Sequence, residues 1–123
     1  MSREIRFRAF DKRRRKYAYR ILKYGARKWF VLARGILRFD WGDGFILEQY
    51  TGLRDKNGKE IYEGDLVRMY DAIFITKWRD QDFSYIFSRP EVFYWLNIGR
   101  SSDCEVIGNI HENSELLNDR KGK

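Results

Sequence analysis

The sequence predicts a mainly β fold, a barrel or sandwich with an N-terminal β-hairpin extension and a short C-terminal helical turn. Three observations point there. The chain of 123 residues holds one proline and ten glycines, and the glycines fall mostly between apolar runs. Those runs are short and closely spaced, as in an antiparallel β protein. Aromatic residues make up 17% of the chain, enough to fill a small core with few side chains.

Each element follows from local pattern. Ile5-Arg-Phe7-Arg-Ala9 alternates apolar and polar with period two, which predicts a half-buried strand. Residues 11–15 are consecutive polar residues and predict a turn. Residues 17–24 place Tyr17, Tyr19 and Ile21 on one side and predict a returning strand, although Tyr17, Ile21 and Tyr24 also sit at helical spacing. Residues 29–32 and 36–39 are apolar runs around Arg34-Gly35, a hairpin pattern. Residues 40–44, Asp-Trp-Gly-Asp-Gly, predict a turn, and residues 45–50 the next strand.

Asn57-Gly58 is the strongest short turn signal, because both residues tolerate the positive φ of a type I′ turn. Glu63-Gly64-Asp65 predicts a second turn, in which the Asp65 carboxylate accepts backbone hydrogen bonds. Residues 66–70, 72–78, 83–87, 92–96 and 105–110 are strand candidates. Gly108 within the last of them marks a bulge or a close backbone approach. Residues 113–118 predict one helical turn capped by Asn113 or Ser114, with Leu116 and Leu117 as anchors. The expected organisation is a single domain, 1–123, with basic N-terminal strands at 1–38, a barrel core at 39–118 and a frayed tail at 119–123.

Charge is divided unevenly. Residues 1–38 carry 14 Lys or Arg against Glu4 and Asp11, a formal charge of +12. Residues 39–123 carry 11 against 16 Asp or Glu, a formal −5, which leaves +7 for the chain. Such a gradient suits an acidic partner for the N-terminal part, or contact between the two parts in an oligomer.

The candidates for chemistry are few. A single cysteine, Cys104, makes no internal disulfide and fits a reducing compartment. Cys104 and His111 lie seven positions apart with nothing local to orient them, so no catalytic residue is assigned. One histidine and one cysteine do not make a zinc site of the usual kind. Asp40 and Asp43 with Gly42 and Gly44 resemble half a calcium loop but lack the later ligands. Glu60, Glu63 and Asp65 have no second carboxylate pair in support. No metal and no cofactor is expected. No apolar run approaches the ~18 residues of a membrane-spanning helix, and Met-Ser-Arg-Glu opens no apolar signal segment.

Three blocks carry a resemblance. Residues 49–68, Gln-Tyr-Thr-Gly-Leu-Arg-Asp-Lys-Asn-Gly-Lys-Glu-Ile-Tyr-Glu-Gly-Asp-Leu-Val-Arg, are similar to the centre of the YopX family of phage and prophage proteins. Residues 3–11 resemble its opening, with Phe10 where the family usually has Trp. Residues 105–113, followed by Glu115-Leu-Leu117, resemble its closing motif, with His111 and Ser114 where Tyr and Pro are usual. The match spans the chain, while residues 13–47 and 70–103 vary. The resemblance implies SH3-like barrel character, a phage or prophage origin and a bacterial cytoplasmic location. It implies no enzymatic activity.

The functional expectation is therefore a non-enzymatic accessory protein. Its candidate nucleic-acid-binding residues are Lys12, Arg13, Arg14, Arg15, Lys16, Arg20, Lys23, Arg27 and Lys28, interleaved with Tyr17, Tyr19, Tyr24 and Trp29. Cations track a phosphate backbone and aromatics stack on bases. The bland alternative has these aromatics filling a core while the cations stay in water. No recognition helix or zinc finger is present, so sequence-specific reading is not expected. The alternative partner is a host protein, defensive or regulatory, or further copies of the chain in a homo-oligomer. The aromatic content and the many strand edges support self-association.

Overall fold

A computed structural model describes residues 6–18, 20–24, 28–33, 36–40 and 45–119, with side chains for 6–17 and 46–117. The fold is mainly β, and the chain forms two compact units, one within Glu4–Gln49 and one within Tyr50–Lys123. The divide falls inside a single long strand.

The first unit holds β1 (Phe7–Asp11), β2 (Lys16–Ala18), β3 (Arg20–Tyr24), β4 (Lys28–Ala33), β5 (Ile36–Asp40) and the first half of β6 (Phe45–Arg54). β1 pairs antiparallel with β2, Phe10 opposite Tyr17, and with β6, Ala9 opposite Leu47. β3, β4 and β5 form an antiparallel meander, with Leu22 opposite Phe30 and Phe30 opposite Phe39. The returning strand expected over 17–24 is thus strand in character, and is divided between β2 and β3. Arg34-Gly35 and the turn expected at 40–44 lie outside the described residues except for Asp40, which ends β5.

Period two in β1 predicts arginines on a wet face, yet Arg8 is buried. The reason is its register partner. Arg8 lies opposite Glu48, and its Nε donates to Glu48 Oε1 at 2.8 Å. The Tyr17 hydroxyl donates to the same oxygen at 2.9 Å, and the Arg8 guanidinium stacks over the Tyr17 ring at 4.2 Å. A buried charge is tolerable when so partnered.

The second unit holds the rest of β6, β7 (Glu60–Tyr62), β8 (Asp65–Met69), β9 (Ala72–Arg79), β10 (Ser84–Arg89), β11 (Val92–Trp95), α1 (Ile98–Asp103), β12 (Glu105–Asn109) and α2 (Leu116–Asp119). Its sheet runs β11-β10-β9-β8-β12, every neighbour antiparallel. Register explains the core. Val106 lies opposite Val67, Val67 opposite Phe74, and Phe87 opposite Tyr94. These residues share one face, where Ile61, Met69 and Cys104 join them. The N-terminal end of α1 was not predicted from sequence. Asn97 caps it, its Oδ1 accepting from Arg100 N at 2.8 Å, but six residues give no hydrophobic period to read.

The turns depart from expectation in an instructive way. Gly58 has φ +83, but Asn57 does not have positive φ, so Asn57-Gly58 is not a type I′ turn. Asp55 decides this. Its Oδ1 accepts from Asn57 N and Lys59 N, both at 2.8 Å, while Gly58 N donates to Asp55 O at 3.0 Å and Asp55 N to Lys59 O at 2.8 Å. The result is a β-turn from Asp55 to Gly58 followed by a glycine bulge. The two positive φ values of a type I′ hairpin occur instead at Tyr70 (54°) and Asp71 (60°), joining β8 to β9.

The second predicted turn forms as read. Gly64 has φ +86, and Asp65 Oδ2 accepts from Tyr62 N at 2.8 Å. Gly108 marks the bulge as read, since the β8–β12 register shifts between Val106 and Gly108, and what approaches it closely is the Asn113 side chain: a Cβ there would stand 2.5 Å from Asn113 Oδ1. Asn113 does not cap α2 with its side chain as expected, because its Oδ1 accepts from Asn109 N at 3.1 Å.

Two substitutions test this account by urea denaturation. Gly58→Val should cost about 1–2 kcal/mol from backbone strain alone, since a Cβ at Gly58 meets nothing within 4 Å. Asp55→Ala should cost about 2–4 kcal/mol, because it removes the acceptor of two turn N–H groups and of the buried Val106 N. An unchanged midpoint in either variant contradicts the turn described.

Candidate nucleic-acid interface

The basic run Lys12 to Lys16 joins β1 to β2 as a turn. Asp11 organises it. Its Oδ1 accepts from Arg13 N at 3.0 Å and Arg14 N at 3.2 Å, and its carbonyl accepts from Arg15 N at 2.8 Å. Arg15 has φ 59, the left-handed value that closes the loop. The backbone N–H groups are thus consumed by Asp11 and form no anion cradle. What the turn offers is side-chain charge. Lys12, Arg13, Arg15 and Lys16 are exposed and Arg14 is half-buried. Lys12, Arg13 and Lys16 make no ion pair within 4 Å among the described residues.

The structure brings only part of the predicted set together. Lys12, Arg13, Arg14, Arg15 and Lys16 form one turn. Arg20 and Lys23 lie on β3, and Lys28 opens β4 opposite Tyr24. Arg27 lies outside the described residues. Tyr17 does not stand open for base stacking. Its ring meets Phe10 edge to face at 5.1 Å, Arg8 covers it, and its hydroxyl is bound to Glu48. Arg15 in turn lies over Phe10 at 5.1 Å. The core-filling reading therefore holds for Tyr17.

Sequence reading missed a second group of exposed side chains, in the second unit. Trp78, Phe83, Trp95 and Ile98 are all exposed, Phe83 by 80%. Trp95 Nε1 donates to Asp82 Oδ2 at 3.1 Å, and Arg79 Nε reaches the same oxygen at 3.1 Å. Arg79 also stacks over Phe93 at 4.2 Å. Beside them a shallow groove of about 460 Å³ is lined by Lys77, Arg79, Ile86, Arg89 and Val92. The apolar runs at 72–78 and 92–96 are strand candidates in the sequence, and no local pattern distinguishes which of their side chains are exposed.

The remaining chemical candidates resolve into structural roles. Glu60 pairs with Arg54 at 3.4 Å and accepts from the Tyr62 hydroxyl at 3.1 Å. Asp43 lies outside the described residues. Among the described residues no group of three or more His, Cys, Asp or Glu side chains is placed to hold a metal. No helix among them is long and apolar enough to cross a membrane. His111 is half-buried, its backbone N–H donating to Asn109 Oδ1 at 3.1 Å. Cys104 is fully buried, with Sγ 3.4 Å from Ser101 O. Burial pushes its thiol up to about 12, and the nearby Asp55 carboxylate adds to the rise. Such a thiol stays protonated and is a poor nucleophile.

Comparison with known proteins extends these observations. The family model described as YopX protein matches residues 6–118. The crystal structure of protein EF1440 from Enterococcus faecalis is similar, with 25% identity and a TM-score of 0.56. The alignment covers 94% of this chain and 99% of that one. No curated protein matches the chain.

The thiol gives a pH signature. Its value is about 12 in the folded chain against 9.0 unperturbed. Between these values the unfolded chain has lost the proton that the folded chain retains, so stability falls as pH rises through this window. Urea midpoints from pH 8 to pH 11 should decline more steeply in the native protein than in Cys104→Ala. Equal slopes would show that Cys104 ionises as freely folded as unfolded.

Proposed function

The chain belongs to the YopX family, and we propose that it is a non-enzymatic phage or prophage accessory protein of the bacterial cytoplasm that binds nucleic acid through its basic turn. The observation that carries this reading is the turn of residues 12–16. Its exposed cations are gathered by an Asp11 that occupies the backbone donors and leaves the side chains to solvent. Point charges on flexible stems recognise phosphate without reading bases. Binding of this kind is independent of sequence and steep in salt. The +12 charge of residues 1–38 adds long-range attraction.

A second reading is favoured by a separate observation. Trp78, Phe83, Trp95 and Ile98 expose apolar surface in the unit that does not carry the basic turn. Exposed aromatics on both faces of the sheet, Trp78 on one and Trp95 on the other, suit a protein partner, such as a host defence or regulatory protein. The two readings differ in salt response, because an apolar interface is little screened.

Fluorescence anisotropy with labelled single-stranded and duplex oligonucleotides over a salt series tests the first reading. The structure selects Lys12, Arg13 and Lys16 for replacement, since Arg14 is half-buried and Arg15 rests on Phe10. Changing the three to Ser removes up to three phosphate contacts. The slope of log affinity against log salt should fall by about 2–3, with little change in stability. Absence of binding at low salt, or an unchanged slope, rejects the reading.

A further inference from the structure

The second unit ends its sheet on two strands of different character. β12 is blunted: it carries a bulge at Val106/Gly108, and Asn113 and Glu112 bond its last residue. β11 is short and its Trp95 O already accepts from Arg100, but the strand itself carries no bulge and no charge. Its four residues, Val-Phe-Tyr-Trp, include no charge and no proline, and its ladder to β10 is regular over all four pairs.

Ladder parity shows which backbone groups face outward. Leu96 N donates to Tyr85 O at 3.0 Å. Leu96 and Tyr85 are therefore a hydrogen-bonded pair, and in an antiparallel ladder such pairs alternate. Tyr94 and Val92 bond to β10, so the N–H and C=O of Phe93 and Trp95 point away from it. Arg100 confirms this orientation, because its Nη1 donates to Trp95 O at 2.9 Å. Val92 and Trp95 are 42% and 52% exposed.

We propose that β11 is a homodimer edge, on which a second copy lays its own β11 antiparallel about a two-fold axis at Tyr94. The two outward residues are two positions apart. A two-fold axis at the residue between them sets Phe93 opposite Trp95 of the second copy, twice, where each pair exchanges two ladder hydrogen bonds, Trp95 O using the lone pair that Arg100 leaves open. The same register puts these aromatic rings face by face across the seam. It also sets charges in complement. Glu91, exposed and in no ion pair among the described residues, enters β11 opposite Asn97 of the second copy. Arg100 follows one helical turn later, held at the strand edge by Trp95 O and by the Tyr94 ring at 5.1 Å. Antiparallel association thus brings an acid of each copy toward a cation of the other. An isologous contact of this type closes at two copies. The inference stands apart from nucleic-acid binding.

Sedimentation equilibrium of the full chain at micromolar concentration should give a dimer. Trp95→Lys should give a monomer with nearly the native melting temperature, since Trp95 is half in solvent. Glu91→Arg should weaken association by roughly tenfold, the worth of two partly exposed ion pairs. The doubly substituted Glu91→Cys/Asn97→Cys chain should form an interchain disulfide on oxidation, and neither single variant should match its yield. A monomeric native chain, a dimer that survives Trp95→Lys, an open series of higher oligomers, or no preference for the paired cysteines would each overturn the proposal.

Discussion

The second unit depends on one buried carboxylate. Asp55 receives three backbone N–H groups, two from its own turn and one from Val106, 51 residues away, at 2.9 Å to Oδ2. Lys56 N adds a bond to Cys104 O at 3.0 Å from the same turn. One side chain therefore closes a local loop and ties it to the strand that completes the sheet. Charged acceptors in buried sites make stronger hydrogen bonds than neutral ones, and each orphaned donor left behind is costly. The Cys104 thiol feels the same charge, which links its raised pKa to the fold rather than to chemistry.

The first unit solves a related problem with opposite means. Arg8 and Glu48 are both buried and directly paired across β1 and β6, with Tyr17 completing the set. The arginine that alternation would place in water is thereby part of the interior. Among the described residues, the turn holds exposed cations, where Asp11 binds the backbone and no acid pairs with Lys12, Arg13 or Lys16. The described basic residues of this unit thus include both a structural arginine, Arg8, and cations offered to solvent, Lys12, Arg13 and Lys16. Composition counts them together.

How much of the candidate site was legible follows from this division. Residues 12–16 were legible as a turn because a run of charges buries little, although Arg14 is half-buried and Asp11, read with them, is buried at the end of β1. The aromatic half was not, because Tyr17 reads alike whether it stacks on a base or on Phe10. The open aromatic face of the second unit was invisible for a similar reason. Phe93, Tyr94 and Trp95 are equally apolar, and only register shows that Tyr94 meets Phe74 while Trp95 is exposed.

The sequence by itself determined the β class, most strands to within a few residues, the turn at Gly64, the bulge at Gly108 and the concentration of positive charge in residues 1–38. These are local properties, set by side-chain period, glycine freedom and charge count. Tertiary structure decided the rest. Asn57-Gly58 has the composition of a type I′ turn, yet Asp55 gives it another form. Tyr70-Asp71 lacks that composition and adopts positive φ at both residues. There the short β8–β9 connection requires it, with Met69 held opposite Ala72 and the Tyr70 ring against Tyr94 at 5.5 Å. A left-handed conformation costs about 1–2 kcal/mol per residue. A ladder with packed rings on it can outweigh that cost, and no dipeptide preference contains that comparison.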